Sequence, residues 1–190
     1  MTSMLANPTL AILVASGFDE KQITVVQRAL TKAKMTLKMI APEQGLVNGW
    51  QGNAWGHYFT VDEQISSAMG SDFDALILMG GERGVAKLKS NPHTRRIVNH
   101  FLEAEKPIMA IASGVGLLAV SPKSAGLSVS ASKDVVDELK TSGASVVEAA
   151  LTRDGNVLTS DGTDLDTWVE TMMDIVSNLP AEESAEAVAA

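Results

Sequence analysis

Apolar residues in this chain follow two kinds of pattern. Runs that are mostly apolar and do not alternate regularly with polar residues predict strands buried on both faces of a parallel sheet. These runs occupy residues 9–15, 37–41, 74–79, 107–112 and 157–160. Between them, apolar residues recur at helical spacing, as Ile23, Val26 and Leu30 do after the first run, which predicts amphipathic helices. This alternation predicts an α/β fold with a mostly parallel central sheet and helices on both of its faces.

The remaining segments predict shorter elements. Further helices are predicted at residues 62–69, 85–88, 92–104, 113–120, 133–142 and 164–178, and further strands at 127–130 and 145–150. Residues 43–62 are rich in Gly, Asn and Trp and predict a loop or an irregular hairpin. Because we find no internal repeat and no linker, we expect a single domain over residues 1–179. The Ala- and Glu-rich tail, residues 180–190, is expected to be disordered.

Composition narrows the class of protein. The 190 residues carry a net charge of −8 with a pI near 4.8. An acidic chain argues against nucleic acid or an anionic membrane as a partner, since both bind clustered Lys and Arg. The absence of cysteine excludes disulfides, thiolate catalysis and zinc–thiolate sites. No segment reaches the ~20 apolar residues of a membrane span. We expect a cytoplasmic protein with no cofactor and no metal.

The carboxyl ends of three predicted strands carry the candidate functional residues. They are residues 17–20, 80–84 and 112–114. Ligands of parallel α/β sheets bind at these strand ends. The third segment also joins a buried strand to a helix through a tight turn, which is where α/β hydrolytic folds mount their nucleophile.

These three strand ends, in this order, resemble the ThiJ/PfpI family of the class I glutamine amidotransferase-like superfamily. The resemblance covers residues 9–178 and includes residues 136–139 and 154–160. It implies a flavodoxin-like three-layer sandwich. Family members include protease-like proteins, deglycase- or glyoxalase-like enzymes, chaperones and stress proteins. Cysteine-less copies also form the C-terminal domain of large-subunit catalases, which this chain resembles in lacking the thiol.

The resemblance also indicates which functional residues remain. Enzymatic members carry Ala-Ile-Cys-x-Gly at the elbow, whereas residues 110–114 here read Ala-Ile-Ala-Ser-Gly, so that Ala112 takes the cysteine position. The family's histidine falls in residues 130–133, which contain none. Its acidic residue falls on Glu20, and its glycine turn falls on Gly80 and Gly81. Because alanine has no lone pair and no ionisable group, covalent catalysis from position 112 is impossible.

Three of these positions have a functional and a structural interpretation. Ser113 is either a nucleophile, which would need a general base within about 3 Å, or the N-cap of the following helix, which we favour. Glu20 either lines a pocket, protonated and bonded to a ligand or to Ser113, or complements a helix dipole. Gly80 and Gly81 form a tight turn whose backbone N–H groups are also able to bind an anion.

A second cluster is predicted within residues 43–62. Trp50, Trp55 and His57 suit either a binding cleft or a subunit contact, since Trp is common at interfaces. In the family the corresponding excursion often lies at a subunit contact, and we therefore favour the contact. The resemblance implies a homodimer or higher homo-oligomer.

The residues favour a non-catalytic ThiJ/PfpI-like protein. Its residual pocket would bind a small molecule or anion, in a stress-related, chaperone-like or assembly role. The alternative is a hydrolase or lyase of altered mechanism, protease-, amidase- or glyoxalase-like, that uses Ser113, Glu20 and the amides of Gly80 and Gly81. A third possibility is a domain released from a catalase-type polypeptide.

Overall fold

The protein is described here from a computed structural model covering residues 7–180. Its strands are β1 (Thr9–Leu13), β2 (Phe18–Asp19), β3 (Thr36–Ala41), β4 (Leu46–Trp50), β5 (Trp55–Thr60), β6 (Glu63–Gln64), β7 (Ala75–Leu78), β8 (Ile108–Ile111), β9 (Ser128–Val129), β10 (Ser145–Val146), β11 (Leu151–Asp154) and β12 (Val157–Ser160). Its α-helices are α1 (Glu20–Lys32), α2 (Glu82–Lys89), α3 (Pro92–Glu103), α4 (Val136–Thr141) and α5 (Leu165–Ser177). Short 3₁₀ segments cover Gly70–Asp72, Ala112–Val120, Pro122–Ser124 and Lys133–Val135.

Seven strands form the central sheet. Their order is β11-β12-β8-β7-β1-β3-β6. All neighbouring pairs are parallel except β11 with β12, which is antiparallel. Three of the inner strands, β1, β7 and β8, are buried along nearly their whole length, as their continuous apolar runs predict. The predicted α/β class with a mostly parallel sheet is confirmed.

Helices cover both faces of this sheet and bury two separate cores. One core contains Ile23 and Val26 of α1 together with Trp168 of α5. The other core contains Val85 of α2 and Phe101 of α3. The resulting helix–sheet–helix layering is the flavodoxin-like sandwich that the sequence predicts. It leaves the carboxyl ends of β1, β7 and β8 side by side at one edge.

The prediction of a helix at residues 62–69 is wrong. Residues 63–64 form the short edge strand β6, paired in parallel with β3, and turns follow. Asp62 bridges the two strands, since its backbone amide donates to Met39 O at 2.8 Å and its carboxylate accepts from Met39 N at 2.7 Å. The free edge of β3 thus satisfies this segment's hydrogen-bonding groups better than a short isolated helix would.

Two further predictions need correction. The predicted strand at 145–150 is only the two-residue β10, and a separate strand, β11, pairs with β12 across the predicted turn at 154–156. The predicted helix at 113–120 is a 3₁₀ segment that begins at Ala112. The predicted hairpin within 43–62 is present as β4 and β5, with an irregularity between Asn48 and Trp50.

The structure describes only Pro180 of the predicted tail, and residues 181–190 lie outside the described residues. Within residues 7–180, every helix is too short or too polar to cross a lipid bilayer.

Candidate functional site

The elbow after β8 keeps the backbone conformation of a nucleophile mount, although it holds an alanine. Ala112 has φ +53°, a left-handed value that costs a non-glycine residue about 1–2 kcal/mol. Gly114 lets the elbow cross the end of β7 closely, because a β-carbon there would lie 2.5 Å from Met79 O. The strained conformation is therefore imposed by packing of the strand–turn–helix joint against β7.

The methyl group of Ala112 lies between two glycines. A β-carbon on Gly80 would lie 3.2 Å from Ala112 Cβ, and one on Gly162 would lie 2.9 Å from it. The side chain of Ala112 is half-buried. The two glycines keep the space beside position 112 clear of other side chains.

The glycine turn after β7 has the predicted tight geometry, with Gly81 at φ +113°. However, its backbone donors are already bonded within the protein. Gly80 N donates to Gln22 Oε1 at 2.8 Å, and Gly81 N donates to Ser113 Oγ at 3.0 Å. An anion at this turn would have to displace one of these side chains, so the turn does not offer free amides to a ligand.

The predicted role of Ser113 as an N-cap is wrong. The 3₁₀ segment begins without a side-chain cap, and the Ser113 hydroxyl instead accepts the hydrogen bond from Gly81. Ser113 is only 5% exposed. Within residues 7–180, no Asp, Glu or His hydrogen-bonds to Ser113 Oγ, so the described residues supply no general base for it.

Glu20 is enclosed by the β4–β5 hairpin. Its carboxylate accepts three hydrogen bonds: Gln51 Nε2 to Oε1 at 3.0 Å, His57 N to Oε2 at 2.8 Å, and His57 Nδ1 to Oε1 at 2.5 Å. The Glu20 side chain is 9% exposed, whereas that of His57 is 79% exposed. Glu20 does not hydrogen-bond to Ser113. It holds the hairpin to the start of α1.

These contacts keep the Glu20 carboxyl ionised. Burial alone would raise its pKa, but the hydrogen bonds from the His57 and Gln51 side chains and from the His57 backbone outweigh that effect. The pKa of Glu20 therefore lies below its ordinary value. The predicted protonated Glu20 does not fit this environment.

Two glycines of the hairpin make this enclosure possible. A β-carbon on Gly56 would lie 1.7 Å from Glu20 Oε2, and one on Gly49 would lie 2.6 Å from the same atom. Neither position tolerates a side chain while the carboxylate stays in place. The Gly-rich composition of this segment is thus explained by the close approach of its backbone to Glu20.

An aromatic and cationic cluster forms the rim of the site. Trp50 and Trp55 meet edge to face with ring centroids 5.3 Å apart. The Arg83 guanidinium lies 4.4 Å from the centre of the Trp50 ring and 6.0 Å from that of Trp55, within the range of a cation–π interaction. The structure therefore brings together two of the three predicted aromatic-cluster residues, while His57 binds Glu20.

A pocket of about 470 Å³ opens at the elbow. It is lined by Asp19, Gln22, Trp50, Gly52, Gly81, Glu82, Arg83, Ala112, Ser113, Ser132 and Asp134. Ser132, from the segment where the family has its histidine, donates a hydrogen bond to Asp134 Oδ1. A neighbouring cavity of about 500 Å³ includes Glu20 and shares Asp19, Trp50, Gly52 and Gly81 with it. Four of the predicted residues, Trp50, Gly81, Ala112 and Ser113, thus line one pocket.

A larger groove of about 710 Å³ lies beyond Ser132, beside α4. It shares only Ser132 with the 470 Å³ pocket at the elbow, which we call the elbow pocket. The elbow pocket is the better candidate for a ligand site, because polar side chains converge there at the strand ends. Within residues 7–180, no three His, Asp or Glu side chains are grouped closely enough to hold a metal ion.

Sequence reasoning missed Gln22, and it placed Arg83 within the strand end at residues 80–84 without giving it a role. Gln22 is a polar residue on the buried stripe of α1, one turn before Val26. A polar residue at an apolar position of the helical pattern could have been recognised from the sequence as a candidate site residue. Arg83 stands two residues after the glycine turn, but its contact with Trp50 depends on the hairpin's path.

The fold agrees with the comparisons with known proteins. The family model of the DJ-1/PfpI family matches residues 8–175, and the chain belongs to this family, the ThiJ/PfpI family of the sequence analysis. It is similar to general stress protein 18 of Bacillus subtilis (strain 168), at 29% identity over 140 residues, covering 73% of this chain and 79% of that protein.

Two solved structures show the same fold. A ThiJ/PfpI domain protein from Brachyspira murdochii superposes with a TM-score of 0.81 at 19% identity, covering 92% of this chain and 98% of that one. A DJ-1 superfamily protein from Salmonella typhimurium, solved as a cysteine-to-alanine mutant, superposes with a TM-score of 0.76 at 25% identity, covering 95% and 97%. The comparisons bear out the family, but they do not show the resemblance to a catalase C-terminal domain.

Proposed function

We propose that this protein binds a small molecule non-covalently in the elbow pocket and catalyses no covalent chemistry there. The observation that carries this proposal is Ala112 at φ +53° in the wall of an open pocket. The backbone that would present a nucleophile is intact, whereas the nucleophile is absent. The similarity to general stress protein 18 supports a stress-related role for that binding.

The enzymatic alternative rests on Ser113 and receives less support. Its hydroxyl accepts from Gly81, no base contacts it within residues 7–180, and Glu20 is held by the hairpin. We expect no protease, amidase or glyoxalase turnover above background. A rate that Ser113→Ala abolishes would establish the alternative instead.

A fragment titration followed by amide NMR tests the binding role. We expect fragments to shift the resonances of Gly81, Ala112 and Ser113. Ser132→Trp, which fills the pocket from its wall, should abolish these shifts, whereas Ser66→Trp on an exposed turn should leave them unchanged. If no fragment shifts these amides, or if both variants behave alike, the proposed function is wrong.

We also propose that the chain forms a homodimer through the free edge of β5. Within residues 7–180, this strand pairs only with β4. The backbone of Asn48 bonds to the β2 side, since its N–H donates to Ser16 Oγ and its carbonyl accepts from Gly17 N. Its cross-strand partner Tyr58 therefore turns its own backbone groups outward, because these groups alternate in direction along a strand.

The second copy is the partner that this edge fits best. Residues 44–61 contain no Asp, Glu, Lys or Arg, so two such edges meet without like-charge repulsion in a chain of net charge −8. Tyr58 is 69% exposed, Trp55 50% and Leu46 53%. An uncharged edge strand with large exposed apolar side chains is a typical pairing site, and an antiparallel pair of identical edges is a closed two-fold contact.

Light scattering at micromolar concentration tests the dimer. We expect a dimeric mass for the full chain and a monomeric mass for Tyr58→Lys. Met69→Lys, which places the same charge on a similarly exposed apolar residue elsewhere (57% exposed), should stay dimeric. A monomeric unmodified chain, or a dimer that survives Tyr58→Lys, would contradict this interface.

A further inference from the structure

The geometry points to a ligand class for the elbow pocket: a small zwitterion, whose carboxylate is held by Gln22, Ser113 and Arg83 and whose ammonium group faces the carboxylates of the pocket. This inference rests on the proposed binding function and adds the ligand's chemistry to it. It depends on which hydrogen-bonding groups the protein has already used and which remain.

Gln22 presents an unused donor on a largely buried side chain. The residue is 8% exposed and lines the pocket. Its Oε1 accepts from Gly80 N, which fixes the orientation of the side-chain amide. Its Nε2 has no acceptor within residues 7–180. Because Nε2 is not among the fully buried atoms without a partner, it reaches the pocket, where a ligand oxygen can accept a hydrogen bond from it.

Ser113 presents a second unused donor in the same way. Its Oγ accepts from Gly81 N, whereas its hydroxyl proton has no acceptor within residues 7–180. The two side chains thus occupy the amides of the glycine turn and offer their own N–H and O–H groups in their place. Both remaining groups donate, so the ligand atom they recognise is an acceptor.

Arg83 determines the charge of that acceptor. Its guanidinium lies over Trp50 and forms no ion pair with a carboxylate within residues 7–180. Arginine binds carboxylates through parallel hydrogen bonds, and stacking on an indole leaves the edge of the guanidinium available. A carboxylate satisfies Arg83 together with the two neutral donors.

Three acidic side chains of the pocket lining favour a positive charge on the remainder of the ligand. Asp19, Glu82 and Asp134 line the same pocket. Asp19 Oδ1 accepts from Gln22 N and Asp134 Oδ1 accepts from Ser132, and the second oxygen of each has no partner within residues 7–180. A purely anionic ligand would be repelled by these groups, whereas an ammonium group beside the carboxylate would be attracted.

A matched series of small probes tests the class. L-Alanine carries both groups, propionate lacks the ammonium and alaninamide lacks the carboxylate. We expect amide NMR titrations of the full chain to give the tightest binding for L-alanine, weakened about tenfold or more for either analogue. Saturation should require millimolar ligand, because so few atoms contribute.

Variants assign the recognition to the named residues. Gln22→Glu retains the acceptor for Gly80 but replaces the donor by a carboxylate, and Arg83→Met removes the cation. Each should weaken L-alanine binding about tenfold or more, whereas Arg95→Met, an exposed arginine on α3 that is outside the pocket lining, should not change it. A circular dichroism melt of each variant reports whether it has folded, and if Gln22→Glu is unfolded, Arg83→Met decides.

The possible outcomes separate this inference from the proposed function. If alaninamide binds as tightly as L-alanine, or if Arg83→Met binds L-alanine like the unmodified chain, the zwitterion assignment is wrong while pocket binding stands. If neutral or cationic fragments shift Gly81 and Ser113 but L-alanine does not, the assignment is again wrong. If no probe or fragment shifts these amides, the proposed function itself fails.

Discussion

The elbow at Ala112 and the carboxylate of Glu20 differ in opposite ways. The elbow has the backbone conformation of a nucleophile mount but carries an alanine, whereas Glu20 has an ionisable side chain whose carboxylate accepts three hydrogen bonds from a hairpin. At Ala112 the notable feature is the backbone conformation, and at Glu20 it is the chemistry of the side chain. An ionisable residue at a strand end can therefore serve the structure, and a strained turn can be held by packing alone.

The largest expected change in stability comes from substituting Glu20. Glu20→Ala leaves Gln51 and the His57 amide without their acceptor and should destabilise the fold by about 3 kcal/mol. Urea denaturation measures the loss. Glu20→Gln, which keeps one acceptor oxygen, should lose clearly less, and an unchanged midpoint for Glu20→Ala would show that the hairpin does not depend on this carboxylate.

Acid titration should weaken the same contact without a mutation. Because the pKa of Glu20 is lowered in the folded state, its ionised form stabilises the fold fully above the unfolded value of about 4.3. That contribution is lost as the pH falls through the lower folded-state pKa. Urea midpoints from neutral pH downward should fall more steeply for the unmodified chain than for Glu20→Gln, and parallel curves would contradict the assignment.

A smaller effect of opposite sign is expected at the elbow. Ala112→Gly relieves the left-handed strain and should stabilise the fold by up to about 1 kcal/mol. Ala110→Gly, two residues earlier in strand β8 and fully buried, is the matched control and should destabilise by about 1 kcal/mol. Thermal unfolding compares them, and equal losses would mean that position 112 carries no strain.

The smallest effect concerns the exposed half of the hairpin contact. His57→Ala removes the side-chain contact to Glu20 but keeps the backbone donor. Because the ring is 79% exposed, we expect a loss of only about 0.2–1 kcal/mol. A loss as large as that of Glu20→Ala would show that the imidazole, and not the backbone, secures the hairpin.

The sequence predicted the central sheet well, because buried parallel strands such as β7 and β8 have unmistakable apolar runs. It failed at β6, where the edge of β3 competes with local helix propensity. It identified Ala112 and Glu20 through the resemblance, but it did not foresee that Gln22 and Ser113 occupy the glycine turn. Those contacts join residues 58 and 32 positions apart in the chain, and no local pattern encodes them.

The left-handed alanine has an evolutionary consequence. Since packing of Gly114 against Met79 holds the elbow, the backbone needs no remodelling to present a different side chain. Any alanine codon becomes a serine codon by a single base change, whereas cysteine requires more than one. A gene encoding this chain is therefore one base change from a hydroxyl at position 112 and at least two from a thiol, and single-base substitutions of codon 112 would reach the hydroxyl first.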